Sequence, residues 1–478
     1  MAPWSLRQRR RRFRLCATAV ALAAICAGAA YMLGASSGVA KAEGLIDSGY
    51  LSEAEAILTA MVEHNPGNQR AAFDLAYVYL LEGRLDEAER QFAELPSSDY
   101  RTEGMAAVAH ARDGAGARSV LEDAARAIPS AYPRALLASL DLAEGRPDEA
   151  VQALRKTEKR EFVLAWQWAE RQVLLGRALY HLKKFDQAAE LLDHVGAMPN
   201  SMTMAVSEAV RDQAYQQTDV ARTERIHRQI ADLAELLRKG TVTSGANGDA
   251  WSSRPVTLCL LPPEDGNSLL AREVGLSESL TWMLERRLQG RGPHTLVDRE
   301  VLEYALTEQS ISALLTTGDP RVQLGRVLGA RCLIQSKFFS VLGEDLLSLM
   351  LIDTETTEQF SGPEVPFERN MSPDEFLDEL ANKTLGALRE AFPLRGKLSH
   401  ETTGTVLNIG ANVGVEAGMT FGLMPAPGVG RLDRGPYALV LDPVATDHAM
   451  VSLHGLAADD IPPGGLYARQ VLSMEGST

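Results

Sequence analysis

From residue 41 to about residue 200, apolar positions fall in helical stripes separated by short polar turns. In "AAFDLAYVYLLEGRLDEAERQF", Leu75, Ala76 and Tyr79 share one face of a helix, and Leu85, Ala88 and Phe92 form the facing stripe of a second. Gly83 lets the chain reverse between them. The pattern restates itself thirty-four residues apart: Gly49 with Gly83, Leu51 with Leu85, Ala54 with Ala88, Leu58 with Phe92. It returns with looser spacing at "LAEGRPDEAVQAL" (Gly145, Ala150, Leu154) and "LLGRALYHLKKFDQAAELL" (Leu175, Gly176, Phe185, Ala188, Leu192). "GMAAVAHARDGAGARSVLEDAARAIPS" reads as a degenerate copy. The prediction is an all-α array of four or five hairpins, followed by one or two long helices, together spanning residues 41–238.

One helical hairpin cannot bury its apolar face alone, so such units stack and share a core. The period and the Gly/Ala/Phe positions resemble tetratricopeptide repeats. The resemblance implies a solenoid that binds proteins on its concave side. By motif position that side carries Arg70, Phe73, Tyr77 and Leu80, the candidate protein-binding residues. Phe73 and Tyr77 have a second reading, as core between repeats.

The periodicity then changes class. Residues 239–255, "KGTVTSGANGDAWSSRP", are rich in Gly, Ser, Thr and Asn and read as a linker. "VTLCLLPP" is a short buried-strand pattern, and Leu276, Leu280, Met283, Leu284 and Leu288 recur at helical spacing. "HTLVDREVL" predicts a second strand, and Asp319 to Gly329 a short capped helix. "RCLIQSKFFSVLGEDLLSLMLIDTET" predicts a hairpin turning at Gly343-Glu344-Asp345. "SPDEFLDELANKTLGALREAF" predicts a helix opened by a Ser372–Glu375 capping box. The order implies an α+β domain with a mixed sheet over residues 256–393.

The words "LVDREVLEYALTEQSIS", "LGARCLIQSKF" and "LMLIDTETTE" resemble the CsgG/TolB-N-terminal superfamily, which includes FlgT and LpoB. That resemblance implies a fold and a bacterial envelope setting, without a catalytic site. The hairpin here has no room for the long inserted hairpins of the curli pore. From Lys397 glycines punctuate short strands in "TTGTVLNIGANVGVEAGMTFGLMP", and "YALVLDPVATDHAMVSL" adds two more. This predicts a small β-barrel over residues 397–472, similar to the C-terminal domain of FlgT-like proteins. Cys259 and Cys332 each fall in a predicted strand, and the family resemblance implies that these strands are neighbours. A Cys259–Cys332 disulfide and two buried free thiols are both open readings.

Charge and chemistry narrow the function. The net charge is −15, and the first 14 residues hold six arginines and no acid, which leaves −21 on the remainder. So acidic a body excludes a nucleic-acid binder, which needs a basic footprint. The basic tail 1–14 precedes an uncharged stretch, residues 15–33, long enough to cross a bilayer. The expectation is a single-pass inner-membrane anchor, with the N-terminus cytoplasmic and the body periplasmic. A cleaved signal peptide ending at Ala40-Lys41-Ala42 is the alternative. No Cys/His cluster or HExxH pattern occurs, so no metal, cofactor, small-molecule substrate or catalytic residue is expected, and the chain reads as a non-enzyme. The functional expectation is a membrane-anchored periplasmic scaffold for an envelope machine: flagellar, curli-like or secretion-related. Regulation of a peptidoglycan synthase is the alternative, and a hydrolase in the α+β domain a more distant one.

Overall fold

The computed structural model describes residues 38–471 apart from 115, 196–200, 221, 223, 229–250, 265, 298–329, 342–343, 369–370, 402–403, 426–435, 458–459 and 463–464. The expected tail, residues 1–14, the expected membrane segment, residues 15–33, and the helix expected between Asp319 and Gly329 lie outside the described residues. No helix among the described residues is long and apolar enough to cross a membrane. The chain forms two compact units, Met1–Arg211 and Asp212–Thr478.

The first unit is helical: α1 (38–47), α2 (Leu51–His64), α3 (Gln69–Leu81), α4 (Leu85–Ala93), α5 (Ser98–Arg112), α6 (Arg118–Ala127), α7 (Tyr132–Ala143), α8 (Pro147–Arg155), α9 (Ala165–His181) and α10 (Phe185–Leu192), with α11 (Met202–Thr218) crossing the unit boundary. They pair as five hairpins, and the first helices of successive hairpins stack, α3 on α5, α5 on α7, α7 on α9. Ala42, the last residue of the candidate cleavage motif, is buried within α1.

Four of the five hairpins turn in one way. Gly49, Gly83, Gly145 and Lys183 all take positive φ, between 57° and 79°. In each turn that residue's N–H bonds three residues back, and the next N–H bonds five residues back, as in Gly83 to Leu80 (3.1 Å) and Arg84 to Tyr79 (2.8 Å). This is the Schellman closure of a helix end. Small residues then let the helices meet. Ala88 is fully buried where α4 meets α3. Gly104 of α5 lies against the Phe92 ring and Gly176 of α9 against Leu192, so that a Cβ at either position would overlap the neighbouring side chain.

The second unit holds two sheets. The first contains β1 (Val256–Leu260), β2 (His294–Leu296), β3 (Cys332–Val341), β4 (Glu344–Asp353) and β5 (Gln359–Phe367) in the order β2-β1-β3-β4-β5. β1 runs parallel to β2 and β3; the β3-β4 and β4-β5 pairs are antiparallel. Helices α12 (Leu269–Val274) and α13 (Leu276–Leu288) follow β1, and α14 (Pro373–Ala391) packs on β4, β5 and α13.

Several expectations change here. Val341 pairs with Glu344, so Glu344 and Asp345 belong to β4 rather than to the turn. Ser372 does cap α14, but its side chain makes no capping hydrogen bond, so the expected box is not formed. Cys259 and Cys332 are free buried thiols. The strands are neighbours, yet Cys259 is opposite Leu333 and Cys332 opposite Leu258, one residue out of step. Alternation then sends the two sulfurs to opposite faces of the sheet, and no bridge can form.

The second sheet is a closed antiparallel barrel: β6 (Arg395–Glu401), β7 (Gly404–Leu407), β8 (Thr420–Met424), β9 (Tyr437–Val440), β10 (Ala449–His454) and β11 (Leu466–Gln470), in the order β10-β7-β6-β11-β8-β9, with β9 returning to β10. Leu398, Leu407, Ile409, Phe421, Val440 and Ala468 are among the residues filling it. The end of the expected linker is structured. Trp251 Nε1 donates to the Gly396 carbonyl (3.1 Å), and Ser253 exchanges hydrogen bonds with the Arg395 backbone (2.7 and 2.8 Å). Residues 251–253 therefore extend the barrel along the start of β6, where β7 does not reach it.

Candidate protein-binding face

The candidate residues lie on α3, whose spacing puts Arg70, Phe73, Tyr77 and Leu80 along one stripe. Phe73 and Tyr77 are fully buried, Leu80 is half-buried, and Arg70 is partly exposed. Phe73 stacks on Tyr100 (4.4 Å) and meets Tyr77 and Phe92 edge-on. Tyr77 meets Tyr132 (6.1 Å) and Trp166 (5.5 Å) edge-on, which joins α3 to α7 and α9. These rings bury large areas at favourable edge-to-face geometry, so they weld the array together. The core reading of Phe73 and Tyr77 holds, and as docking residues they are corrected: neither ring is open to a partner.

Polar groups thread the same interior. Tyr77 Oη and Gln167 Nε2 both donate to Glu103 Oε1 (2.9 and 2.8 Å). Glu103 is buried on α5, and desolvation raises its pKa despite these donors. Arg70 forks onto Glu43 of α1 (2.9 and 2.6 Å) and donates to the Val163 carbonyl (2.9 Å), ninety-three residues further along the chain. The segment before α9 thus folds across α3, and the candidate stripe is covered by the protein's own Trp166, Gln167 and Val163.

Asp74 is the outlier. It is fully buried, its only cation is Arg70 Nε at 3.2 Å, and neither carboxylate oxygen has a hydrogen-bond partner among the described residues. Arg70 serves two carboxylates and its fork is spent on Glu43. Burial, opposed by Arg70 and reinforced by Glu43, raises the Asp74 pKa to about 8. Trp166 Nε1 is likewise buried without a hydrogen-bond partner among the described residues.

The sequence pointed to the α3 stripe but missed Glu103, Trp166 and Gln167. Glu103 had a signal: it is a lone acid beside the small-residue run "GMAAVAHA" of the degenerate repeat. The arrangement can hold helices in register and change charge in the interior. Among the described residues no three His, Cys, Asp or Glu side chains converge to hold a metal ion.

A family model for the tetratricopeptide repeat matches residues 45–111. No curated protein sequence matches the chain. Among solved structures, the chain is similar to the APC/C hetero-tetramer Cut9–Hcn1, at 16% identity over 57% of this chain and 47% of that one, with a TM-score of 0.30. The chain thus spans about half the length of that relative. It is also similar to the LpoB C-terminal domain from Salmonella enterica, at 21% identity over 28% of this chain and 95% of that one, TM-score 0.19. The P58(IPK) TPR domain follows at 14% identity, over 75% of this chain and 99% of that one, TM-score 0.16.

Proposed function

We propose that the chain is a membrane-anchored periplasmic scaffold that recruits protein partners to an envelope machine through its helical-repeat array. The observation that carries this is the stack of five helical hairpins, matched at residues 45–111 by the tetratricopeptide-repeat model. Such an array is a protein-binding architecture. The envelope setting rests on the arginine-led apolar N-terminus and on the resemblance of residues 256–393 to the CsgG/TolB-N-terminal superfamily.

Because Phe73 and Tyr77 of the α3 stripe are sealed, the partner is expected on the outer surface. There Tyr50, 57% exposed, and Val120, 44% exposed, are large apolar side chains open to solvent among the described residues of the five hairpins. A photo-crosslinking amino acid at either position, in the full chain in cells, should capture defined envelope proteins. A peptidoglycan synthase among the adducts selects regulation of that enzyme. Adducts made only of cytoplasmic proteins, or none above background at both positions, would overturn the reading.

A further inference from the structure

On the barrel, Ala468 is opposite Gly396 and Leu466 opposite Leu398, with Ala468 and Leu398 in the core. The alternate positions face outward, and there Arg469 is opposite Arg395 and Tyr467 opposite Lys397. Like charges directly opposite on neighbouring strands destabilise a sheet. Three further observations sharpen the oddity. Arg395 lies 5.2 Å from the Trp251 ring centroid, Lys397 lies 5.2 Å from the Tyr467 ring, and the two rings meet edge-on at 5.4 Å. Arg331 is a third guanidinium close enough to act on Arg395, and both nearby acids are taken by it: Asp353 at 2.8 Å, and Glu355. Neither Arg395 nor Arg469 has a carboxylate partner among the described residues. Burial, then repulsion from Arg331 and Arg469, holds the Arg395 guanidinium below its usual pKa.

The cluster is also pre-set. Ser253 holds the Arg395 backbone on both sides, Trp251 holds Gly396, and Asn408 Oδ1 accepts from the Lys397 N–H (2.6 Å). A chain of net charge −15 thus fixes two unpaired guanidinium groups beside an aromatic shelf. Each planar fork offers paired N–H donors. A carboxylate occupies one fork; a tetrahedral dianion can meet two.

We propose that the barrel face at Arg395 and Arg469 binds a phosphate-type oxyanion, with Trp251 and Tyr467 as the wall beside it. Calorimetry on the full-length chain would use inorganic phosphate, glycerol 3-phosphate and acetate, with ionic strength held by chloride. Expected is saturable binding of phosphate or its ester, with acetate inert. Arg395→Ala and Arg469→Ala should each weaken it by about tenfold or more, roughly the loss of one charge-assisted fork. Arg395→Lys should weaken it too, because the charge stays and the fork goes. Arg126→Ala, exposed on α6, is the control and should bind as the wild type. Without phosphate, Arg469→Ala should melt no lower than wild type, which shows that the variant folds. Stronger binding of glycerol 3-phosphate than of phosphate assigns the site to a phosphoryl group on a carbon skeleton, and the reverse to the free ion. Equal binding by wild type and both alanine variants, or acetate matching phosphate, would overturn the proposal.

Discussion

Asp74 shows how one residue makes the array sensitive to pH. Two carboxylates, Glu43 and Asp74, face one guanidinium, Arg70, with Tyr100 of α5 also reaching Arg70. One cation neutralises one acid, so the buried member of the pair keeps its proton up to about pH 8, against an ordinary value of 3.8. A carboxyl raised in the folded state is protonated there while the unfolded chain has already ionised. Its stabilising contribution is therefore complete below about pH 4 and is lost as pH climbs to about 8. The slope approaches ~1.4 kcal/mol per pH unit within that window. Asp74→Asn keeps the shape and removes the ionisation, so its melting temperature should fall less steeply between pH 5 and pH 8 than that of wild type. Equal slopes would show that Asp74 is not the titrating group. None of this could be read from "AAFDLAYVYLL": Phe73, Asp74 and Tyr77 look like a face, and only residues of later helices, such as Tyr100, Glu103 and Trp166, decide that the face is closed.

At the scale of elements, the hairpins were legible because their turns and crossings use rare residues at fixed places. Where the residue departs, a cost follows. Lys183 takes φ 57° at the position that glycine fills in three other turns. A left-handed side-chain-bearing residue costs roughly 1–2 kcal/mol, partly offset by the extra unfolded-state freedom of glycine. Lys183→Gly should therefore stabilise by about 0.5–1 kcal/mol and raise the melting temperature by about 1–3 °C. No rise would mean that Lys183 gains elsewhere what its backbone loses. Gly104→Ala should do the reverse. Overlap with Phe92 costs about 1–3 kcal/mol, more than the roughly 1 kcal/mol that alanine gains in a helix. Adding Phe92→Leu should recover part of the loss, and strict additivity of the two changes would deny the contact.

The strand β5 was invisible for the opposite reason. "QFSGPEVPF" carries Gly362, Pro363 and Pro366, which read as loop, yet it pairs with β4 alone as an edge, where proline is tolerated. Gly362 is required by packing, since a Cβ there would come within 2.6 Å of the Leu349 carbonyl oxygen. The strands β6 and β11 were missed because their outward positions are cationic and aromatic rather than plainly polar, and Trp251 was absorbed into a linker by its neighbours' composition.

At the scale of the whole molecule, composition separates the two ends of the chain more sharply than any domain boundary. The six arginines of residues 1–14 and the uncharged residues 15–33 stand against −21 on all that follows. The helix α1 is already formed at residue 38, with Ala42 and Ile46 fully buried, so only residues 34–37 lie between the expected span and the packed array. A cytoplasmic cluster of arginine is retained on the inner side during insertion, and an acidic body is free to cross. The array is thus expected to start at the outer surface of the inner membrane with almost no tether. Cleavage after Ala42 would cut α1 and remove a buried residue, so the anchor should remain attached. Two readouts test this together. A reporter active only in the periplasm, fused after Thr478, should be active, and mass spectrometry of the membrane-extracted protein should find the arginine-rich N-terminus in place. Activity from a cytoplasm-only reporter at Thr478 would remove the envelope reading. A mature N-terminus at Glu43 would keep that reading but show that the first hairpin folds without the front half of α1.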